Sequence, residues 1–302
     1  MADSELRLVE RPQLDRPVLI AAFQGWNDGG QGASLAASHL VSLWGGRRFA
    51  DIDPEGFFDF QDTRPRVSLQ EGRIRTIDWP ENAFFHASPP ELGRGAVVLL
   101  GVEPNLRWRA FTGLVVGLAR HLGVELVVTL GALLADVPHT RPSPVTGTAS
   151  DPALAEKLGL EVPRYEGPTG IVGILDDACR RAGLPSVMLW AAVPHYVSLA
   201  PSPRAALSLC ARLSVLLDVS IDTSALQAMV ADYTRQVSEA VAADEETAAY
   251  VAELEQRADL LAESELPSGE ALATEFSRYL LERERKDRER TDKGPPDAAR
   301  GQ

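Results

Sequence analysis

Cysteine is scarce in this sequence: Cys179 and Cys210 are its only two cysteines among 302 residues, and each lies in a helix-like segment. Structural zinc sites and redox-active thiols usually need cysteines in closely spaced pairs, and this sequence has no such pair. Two buried thiols in a reducing compartment are the simpler interpretation. We therefore expect no metal site, and no motif in the sequence indicates a cofactor.

A long uninterrupted apolar segment is also absent. The longest stretch without Asp, Glu, Lys or Arg runs from Gly183 to Pro203 and has about the length of a membrane span, but prolines interrupt it. Because proline does not continue a helix, we predict a buried strand and a loop there. The N-terminal segment is charged throughout and lacks the apolar core of a signal peptide. We expect a cytoplasmic protein without a membrane partner.

Basic residues are outnumbered by acidic ones. The chain has 30 Lys and Arg against 43 Asp and Glu, which gives a formal charge of −13 and a pI near 4.9. Its field would repel a nucleic acid, so we exclude that class of partner. The acidity is concentrated in residues 222–263, which hold 10 acidic and 2 basic side chains. A solvated helix face explains this charge more simply than a basic partner surface does.

The first two thirds of the chain alternate short apolar runs with helical patterns, which is typical of an α/β fold with a mostly parallel sheet. Buried strands are predicted at residues 17–23, 96–102, 126–135 and 186–193. One helix is predicted after the first strand and its glycine-rich turn, ending at residue 44. Further helices are predicted near residues 108–122, 152–158, 170–182 and 203–217. Shorter alternating runs over residues 47–85 predict a meander of β segments.

The sequence divides into four parts. We expect a lead-in over residues 1–16, an α/β domain over 17–221, a helical extension over 222–285 and a disordered tail over 286–302. The tail is nearly devoid of apolar residues, which is why we do not expect it to fold.

The helical extension carries an apolar stripe at three-and-four spacing that includes Leu226, Tyr233 and Leu254. The stripe predicts a long helix, which we expect to be exposed or broken between residues 238 and 249, where apolar residues thin out. We expect the stripe to pack against the core or another subunit, so these three residues are candidate oligomer or partner contacts. A second helix is predicted to carry one apolar face, made of Leu272, Phe276, Tyr279 and Leu280.

The loops that follow the predicted strands hold the candidate site residues, because ligands tend to bind at the carboxyl ends of parallel strands. After the first strand comes a glycine-rich turn that contains Asn27 and Asp28. The turn lacks the lysine and hydroxyl residue of a phosphate-binding loop, and Asp28 places negative charge where a phosphate would lie. These two side chains are ligand-binding candidates, and helix capping is the alternative.

The strand at 96–102 is followed by Glu103, Arg107 and Arg109, arranged around a tryptophan. A carboxylate and two guanidinium groups could orient a small anion or a sugar. They could equally form an internal ion pair at the start of the next helix. Both interpretations stay open at this stage.

A Val-Pro-His triplet lies at the end of each of the last two predicted buried strands, and the two triplets end in His139 and His195. Parallel strands would bring both histidines to the same rim of the sheet. Together with Glu103 they are the candidate catalytic residues, since general acid and base chemistry uses such groups. A structural loop network would contain the same residues, and the sequence shows no nucleophile motif such as Gly-x-Ser-x-Gly.

Several segments taken in order resemble the proteasome assembly chaperone 2-like family, and more narrowly its actinobacterial branch. They are FQGWNDGG, LLGVEPNLRW, VTLGALLADVPHTRP, EGPTGI and WAAVPHYV. The resemblance covers Pro17 to Leu217 as the family domain and Asp222 to Arg285 as the extension. It implies a three-layer α/β fold of the phosphorylase/hydrolase type. It also implies binding to proteasome subunits or formation of homo-oligomers, and it assigns no catalytic residue.

Two functional hypotheses follow. The first is a non-enzymatic protein-interaction or assembly factor that self-associates, with proteasome subunits as candidate partners. The alternative is an enzyme similar to nucleoside phosphorylases or hydrolases. The enzyme hypothesis requires one shared pocket, formed by Asn27, Glu103, Arg107, His139 and His195.

Overall fold

The structure is a computed structural model that describes residues 5–70, 74–160 and 166–265. Its main element is an eight-stranded sheet. The strands of this sheet are β1 (Leu6–Leu8), β2 (Val18–Gln24), β3 (Arg47–Ile52), β6 (Asn82–Ala87), β7 (Ala96–Val102), β8 (Leu126–Ala135), β9 (Val145–Ala149) and β10 (Ser186–Pro194). A separate hairpin consists of β4 (Arg66–Gln70) and β5 (Ile74–Asp78).

The helices of the described residues follow the strands along the chain. They are α1 (Gly32–Leu43), α2 (Trp108–His121), α3 (Pro152–Lys157), α4 (Ile171–Arg181), α5 (Pro203–Leu217), α6 (Ser224–Ala242) and α7 (Glu245–Glu265). None of the helices described is long and apolar enough to cross a membrane.

The strand order is β1-β3-β6-β7-β2-β8-β10-β9. The four central strands β7, β2, β8 and β10 are parallel neighbours, and antiparallel strands flank them on both sides. Five of the eight strands run in the same direction, since β3 points the same way as the central four. The predicted α/β fold with a mostly parallel sheet is confirmed.

Strand β2 shows why the sheet is covered on both sides. Its apolar run alternates between the faces, with Ile20 toward one face and Leu19 and Phe23 toward the other, and all three are fully buried. Helices α1 and α5 pack on the first face, whereas α2 and α4 pack on the second. The result is three layers, helix on sheet on helix.

The chain changes sides between two neighbouring strands. After β2 it enters α1 on one face of the sheet, and after the adjacent parallel strand β7 it enters α2 on the other face. Connections that diverge in this way leave a crevice at the carboxyl ends of the two strands. In open α/β sheets such a crevice is where ligands bind.

The helical extension packs within its own chain. Leu226, Tyr233 and Leu254 are 1%, 5% and 2% exposed, so of the two expected arrangements the stripe takes the one in which it packs against its own chain. The predicted long helix is broken between α6 and α7, where Asp244 accepts hydrogen bonds from the Glu246 amide (3.1 Å) and the Thr247 hydroxyl (2.7 Å).

The chain divides into two units, and the division falls within α7, after Leu254. The described part of the second unit is the helical segment 255–265. The predicted second helix with Leu272, Phe276, Tyr279 and Leu280 and the predicted tail 286–302 lie outside the described residues.

Candidate functional site

Glu103, at the end of β7, joins three loops. One carboxylate oxygen, Oε1, accepts hydrogen bonds from Asn27 Nδ2 (2.6 Å) and from the Ile171 amide (2.8 Å), while Oε2 accepts from the Trp26 amide (3.2 Å). Ile171 is the first residue of α4, so the carboxylate also lies at the positive end of the helix dipole. These contacts make Glu103 a junction between β2, β7 and α4.

Asn27 is fully buried, so it cannot contact a substrate in an open cavity. The backbone at Gly170 packs directly against the Asn27 side chain. A Cβ at Gly170 would lie 2.3 Å from Asn27 Oδ1, so only glycine fits there. Asn27 Oδ1 has no hydrogen-bond partner in the described part of the chain.

Asp28 caps α1. Its Oδ1 accepts hydrogen bonds from the amides of Ala33 (2.8 Å) and Ser34 (3.3 Å), and the residue is 5% exposed. Burial raises the pKa of this carboxyl above its ordinary value, and the hydrogen bonds from Ser34 and Ala33 oppose that shift. The capping interpretation of the glycine-rich turn therefore describes Asp28 better than ligand binding does.

The two arginines after β7 point to different surroundings. Arg107 forms an ion pair with Glu5, and its guanidinium group lies 5.1 Å from the centre of the Phe57 ring. Arg109 is exposed on α2, and its guanidinium group makes no hydrogen bond or ion pair with any described residue. Of the two open interpretations, the ion pair applies to Arg107, although its partner comes from the N-terminal lead-in.

His139 is 2% exposed and is bonded on both ring nitrogens. Its Nδ1 lies 2.8 Å from the Tyr196 hydroxyl and its Nε2 lies 2.9 Å from Ser238 Oγ on α6. The Tyr196 hydroxyl also accepts a hydrogen bond from the His139 amide at 2.8 Å. A histidine enclosed in this way holds the loop after β8 against the extension.

His195 lies on the same rim but is exposed. Its Nδ1 lies 3.1 Å from Asp136 Oδ1, and the Tyr250 hydroxyl of α7 donates to that oxygen, also at 3.1 Å. The rings of Tyr196 and Tyr250 meet the His195 ring edge-on, at 5.9 and 5.7 Å between centres. The structure thus brings His139 and His195 together around Tyr196, as their strand positions predict.

The five side chains of the enzyme hypothesis lie in three separate groups and not in one pocket. Glu103 and Asn27 bond to each other, and Arg107 bonds to the lead-in. His139 bonds to Ser238 of the extension, and His195 bonds to Asp136 in the loop after β8. Asn27 and His139 are buried, which removes them from any open cavity. The prediction that these residues converge on one substrate site is wrong.

A cleft of ≈ 590 Å³ does open at the carboxyl ends of β2 and β7, in the crevice that the topology creates. Its volume lies within the range of small-molecule sites. The lining comes from three chain segments: residues Gln24, Gly25 and Trp26; residues Asp59, Asp62 and Thr63; and residues Val102, Glu103, Pro104, Asn105, Leu106 and Trp108. Of the candidate site residues, Glu103 alone is among them.

Asn105 fixes the loop after β7 to the loop over residues 59–63. Its Oδ1 accepts hydrogen bonds from the Asp59 amide and the Thr63 hydroxyl, both at 3.1 Å, and its Nδ2 donates to Asp62 Oδ2 at 2.7 Å. The loop with the two aspartates is therefore held over the cleft by one amide side chain.

The lining residues include three carboxylates, those of Asp59, Asp62 and Glu103, and no Lys, Arg or His. Neither arginine that could orient a small anion, Arg107 or Arg109, lines this cleft. Sequence reasoning missed Trp26, Asp59 and Asp62. A tryptophan next to a glycine in a strand-end loop was a usable signal for Trp26, whereas nothing in the sequence linked residues 59–62 to this edge of the sheet.

Metal binding and thiol chemistry have no supporting geometry among the described residues. No group of three His, Cys, Asp or Glu side chains within the described residues is arranged to hold a metal ion. Cys179 and Cys210 are buried free thiols, and burial raises the pKa of each to about 12. A thiol that stays protonated is a poor nucleophile.

Comparison with known proteins decides the family. A family model described as the PAC2 family matches residues 22–241, which is most of the chain. The chain belongs to the PAC2 family. A PAC2 family protein from Streptomyces avermitilis is 48% identical, with a TM-score of 0.71, and the match covers 78% of this chain and 99% of that one. A proteasome-assembly chaperone homologue from Mycobacterium tuberculosis is 45% identical with the same TM-score and coverage.

Both of these relatives come from actinobacteria, so the resemblance to the actinobacterial branch of the PAC2 family is confirmed. A Mycobacterium tuberculosis protein of unknown function is 27% identical, covers 85% of this chain and 92% of its own, and has a TM-score of 0.77. An archaeal proteasome activator from Pyrococcus furiosus shares the fold, with a TM-score of 0.62 at 17% identity over 78% of this chain and 97% of that one. Comparison with curated proteins finds no match.

Proposed function

We propose that this PAC2 family member is a protein-binding assembly factor whose partner is a proteasome subunit. The observation that carries the proposal is its similarity to the Mycobacterium tuberculosis proteasome-assembly chaperone homologue, at 45% identity over 99% of that chain. The fold alone does not determine function, so the proposal also needs a surface suited to binding protein.

The bonding of the polar residues supports binding over catalysis. Glu103 accepts three hydrogen bonds and His139 is bonded on both ring nitrogens, so each is committed to holding a loop in place. A catalytic acid or base needs an available proton site within reach of a substrate. The enzyme hypothesis therefore has no specific geometry in its favour.

The hairpin β4–β5 offers the protein-binding surface. Val67 lies opposite Ile77 across the two strands, and Leu69 lies on the same face. These side chains are 64%, 57% and 62% exposed. A two-stranded hairpin is only marginally stable alone in water, and a contiguous exposed apolar face is typical of interaction sites.

The charges around this hairpin face indicate the chemistry of the partner. Arg64, Arg66 and Arg75 are exposed and form no ion pair with any described residue, whereas Asp78 is the acidic side chain among the described residues of the two strands. Arg75 lies opposite Leu69 on this face, whereas Arg66 lies opposite Asp78 on the other face, so the apolar face carries a positive charge at its edge on a chain of formal charge −13. It suits a subunit surface that is apolar at its centre and acidic at its edge.

The test is co-expression of this chain with the proteasome subunits of its own organism, followed by size-exclusion chromatography and measurement of affinity. We expect a complex that Val67→Asp weakens about tenfold or more, since a charge in the centre of an interface costs at least about 1.4 kcal/mol. Val215→Asp is the matched control, because Val215 is also exposed (51%) but lies on α5.

Two results would contradict the proposal. One is that no proteasome subunit forms a complex with the wild-type chain. The other is that Val67→Asp and Val215→Asp weaken the complex equally, which would separate the hairpin face from binding.

Self-association is the second part of the proposal. Strand β1 lies at the end of the sheet, so its outer edge has no neighbouring strand among the described residues. Leu8, the last residue of β1, and Val9, which follows it, are 41% and 74% exposed. Such an edge can pair with a second copy. Light scattering should give a mass above the 32.6 kDa of one chain, and Val9→Lys should reduce it. A wild-type mass of one chain would contradict this part.

A further inference from the structure

The acidic cleft beside β2 and β7 carries a feature that protein binding through the hairpin does not use. Trp26 lines the cleft and is 66% exposed, and Trp108 lines it as well. An indole side chain gains free energy when it leaves water, so an exposed one at a pocket is a natural contact for a ligand.

The cleft is held in shape before any ligand arrives. The Trp26 amide donates to Glu103 Oε2, which fixes the backbone that carries the indole. Gly25 precedes it with a φ of +133°, and a Cβ there would lie 3.0 Å from Glu103 Cβ, so this turn requires glycine. Asn105 fixes the opposite wall through Asp59 and Asp62. Pre-formed geometry lowers the entropy cost of binding.

Two acceptor atoms of the cleft are free. Asp59 Oδ1 accepts from the Gln61 amide and Asp62 Oδ2 accepts from Asn105, whereas Asp59 Oδ2 and Asp62 Oδ1 have no partner in the described part of the chain. Both aspartates are exposed, and no lining residue supplies a compensating positive charge. The missing component is a cation that can donate hydrogen bonds.

We propose that this cleft binds an organic cation, a guanidinium or alkylammonium group, between the Trp26 indole and the carboxylates of Asp59 and Asp62. Aromatic faces attract such cations, and a guanidinium group can donate to carboxylates while it lies on an indole. An anion is disfavoured by the charge of the lining. A neutral sugar would use the indole but would leave the charge of the carboxylates uncompensated.

The test is a titration of the full chain with n-butylguanidinium, followed through the indole N–H signals in a ¹⁵N-resolved NMR spectrum. The matched probe is n-butylurea, which has the same shape without the charge, and glucose serves as the neutral sugar. We expect n-butylguanidinium to shift the Trp26 and Trp108 signals in the millimolar range and to bind more weakly as salt is added. The two neutral probes should bind more weakly than the cation.

Variants assign the site to named residues. Trp26→Ala should weaken binding of n-butylguanidinium about threefold to fivefold, and Asp62→Asn about twofold to fivefold. Trp79→Ala is the control, because Trp79 is also exposed (49%) but packs edge-on against Phe60 and does not line the cleft. Trp26→Ala removes an exposed side chain, so the variant should keep its fold, which its thermal unfolding checks.

The source of the cation is tested with a blocked Gly-Arg-Gly peptide. Binding at least about tenfold tighter than n-butylguanidinium would assign the cleft to a basic side chain of a protein, and equal or weaker binding would assign it to a small metabolite.

The proposal is overturned if n-butylurea or glucose binds as tightly as the cation, if no indole signal moves, or if Trp26→Ala and Trp79→Ala have the same effect. These measurements do not involve proteasome subunits, so they stand or fall independently of the proposed function.

Discussion

The carboxyl edge of the sheet has two halves that differ in what lies over them. At the ends of β8 and β10, α6 and α7 supply Ser238 and Tyr250, which bond to the loops below, and His139 is 2% exposed. At the ends of β2 and β7 a cleft is open to solvent, and Trp26 is 66% exposed.

The difference shows that polar residues at strand ends have two uses in one molecule. In the covered half, histidine, tyrosine and aspartate satisfy each other and attach the extension. In the open half, Glu103 and Asn105 satisfy backbone and side-chain groups of the walls and leave acidic oxygens facing the cleft. A ligand is expected in the half that keeps an open cavity with polar groups facing it.

The largest effect is expected from a substitution that weakens the packing of α6 over the covered half of the sheet edge. Leu226 is 1% exposed and belongs to the core cluster beneath α6, so Leu226→Ala should lower the free energy of unfolding by about 3 kcal/mol. Met229→Ala on the same helix is the control, because Met229 is 39% exposed and its truncation should cost less than about 1 kcal/mol. Urea denaturation measures both, and equal small losses would show that the extension is only loosely attached.

The central strands could be predicted from sequence with accuracy. The predicted bounds 96–102 and 126–135 are those of β7 and β8, and the predicted helix 203–217 is α5. Strands buried on both faces produce continuous apolar runs, which short-range patterns reveal. The break in the extension was also visible, since the apolar stripe is thin where α6 gives way to α7.

The candidate site was much harder to predict. Strand β9 has the sequence VTGTA at an edge of the sheet and lacks an apolar run, and β1 lies inside the predicted lead-in. The cleft is assembled from loops more than 30 residues apart in sequence, with Asp62 bonded to Asn105. Arg107 pairs with Glu5 across 102 residues. Local patterns contain no information on such pairings, so strand-end position alone suggested the wrong partners.

A second prediction concerns the wall between the two halves. Glu103→Ala leaves Asn27 Nδ2 and the amides of Trp26 and Ile171 without their acceptor, so it should cost about 2 kcal/mol of unfolding free energy. Glu156→Ala is the control, since Glu156 is exposed on α3 and should change little. If Glu103→Ala left stability unchanged, the carboxylate would not be the junction, and a role in chemistry would regain support.

The histidines provide a third, smaller test of the covered half. His139→Ala removes contacts to Tyr196 and Ser238 and should cost about 1.5 kcal/mol, while His195→Ala, at an exposed site, should cost about 0.5 kcal/mol or less. Hydrogen exchange should accelerate in α6 for the first variant alone. Equal exchange in both variants would contradict the view that His139 attaches the extension.

The smallest expected effect is a pH dependence at Asp28, beneath α1. Burial raises the pKa of this carboxyl in the folded chain above the ordinary value of 3.8, so the folded state binds the proton more tightly than the unfolded state. Stability from Asp28 is therefore complete below pH 3.8 and falls as pH rises through the raised pKa. Asn at this position keeps the Oδ1 acceptor for Ala33 and Ser34 but does not titrate.

The difference in unfolding free energy between wild type and Asp28→Asn isolates that titration, because every other group is common to both chains. Wild type should lose stability relative to the variant as pH rises from below 3.8 to neutrality. The opposite slope would mean that the N-terminus of α1 stabilises the carboxylate more than burial penalises it. Asp28 would then hold a full negative charge beside the carboxyl edge, and the acidic field of the open half would extend under the glycine-rich turn.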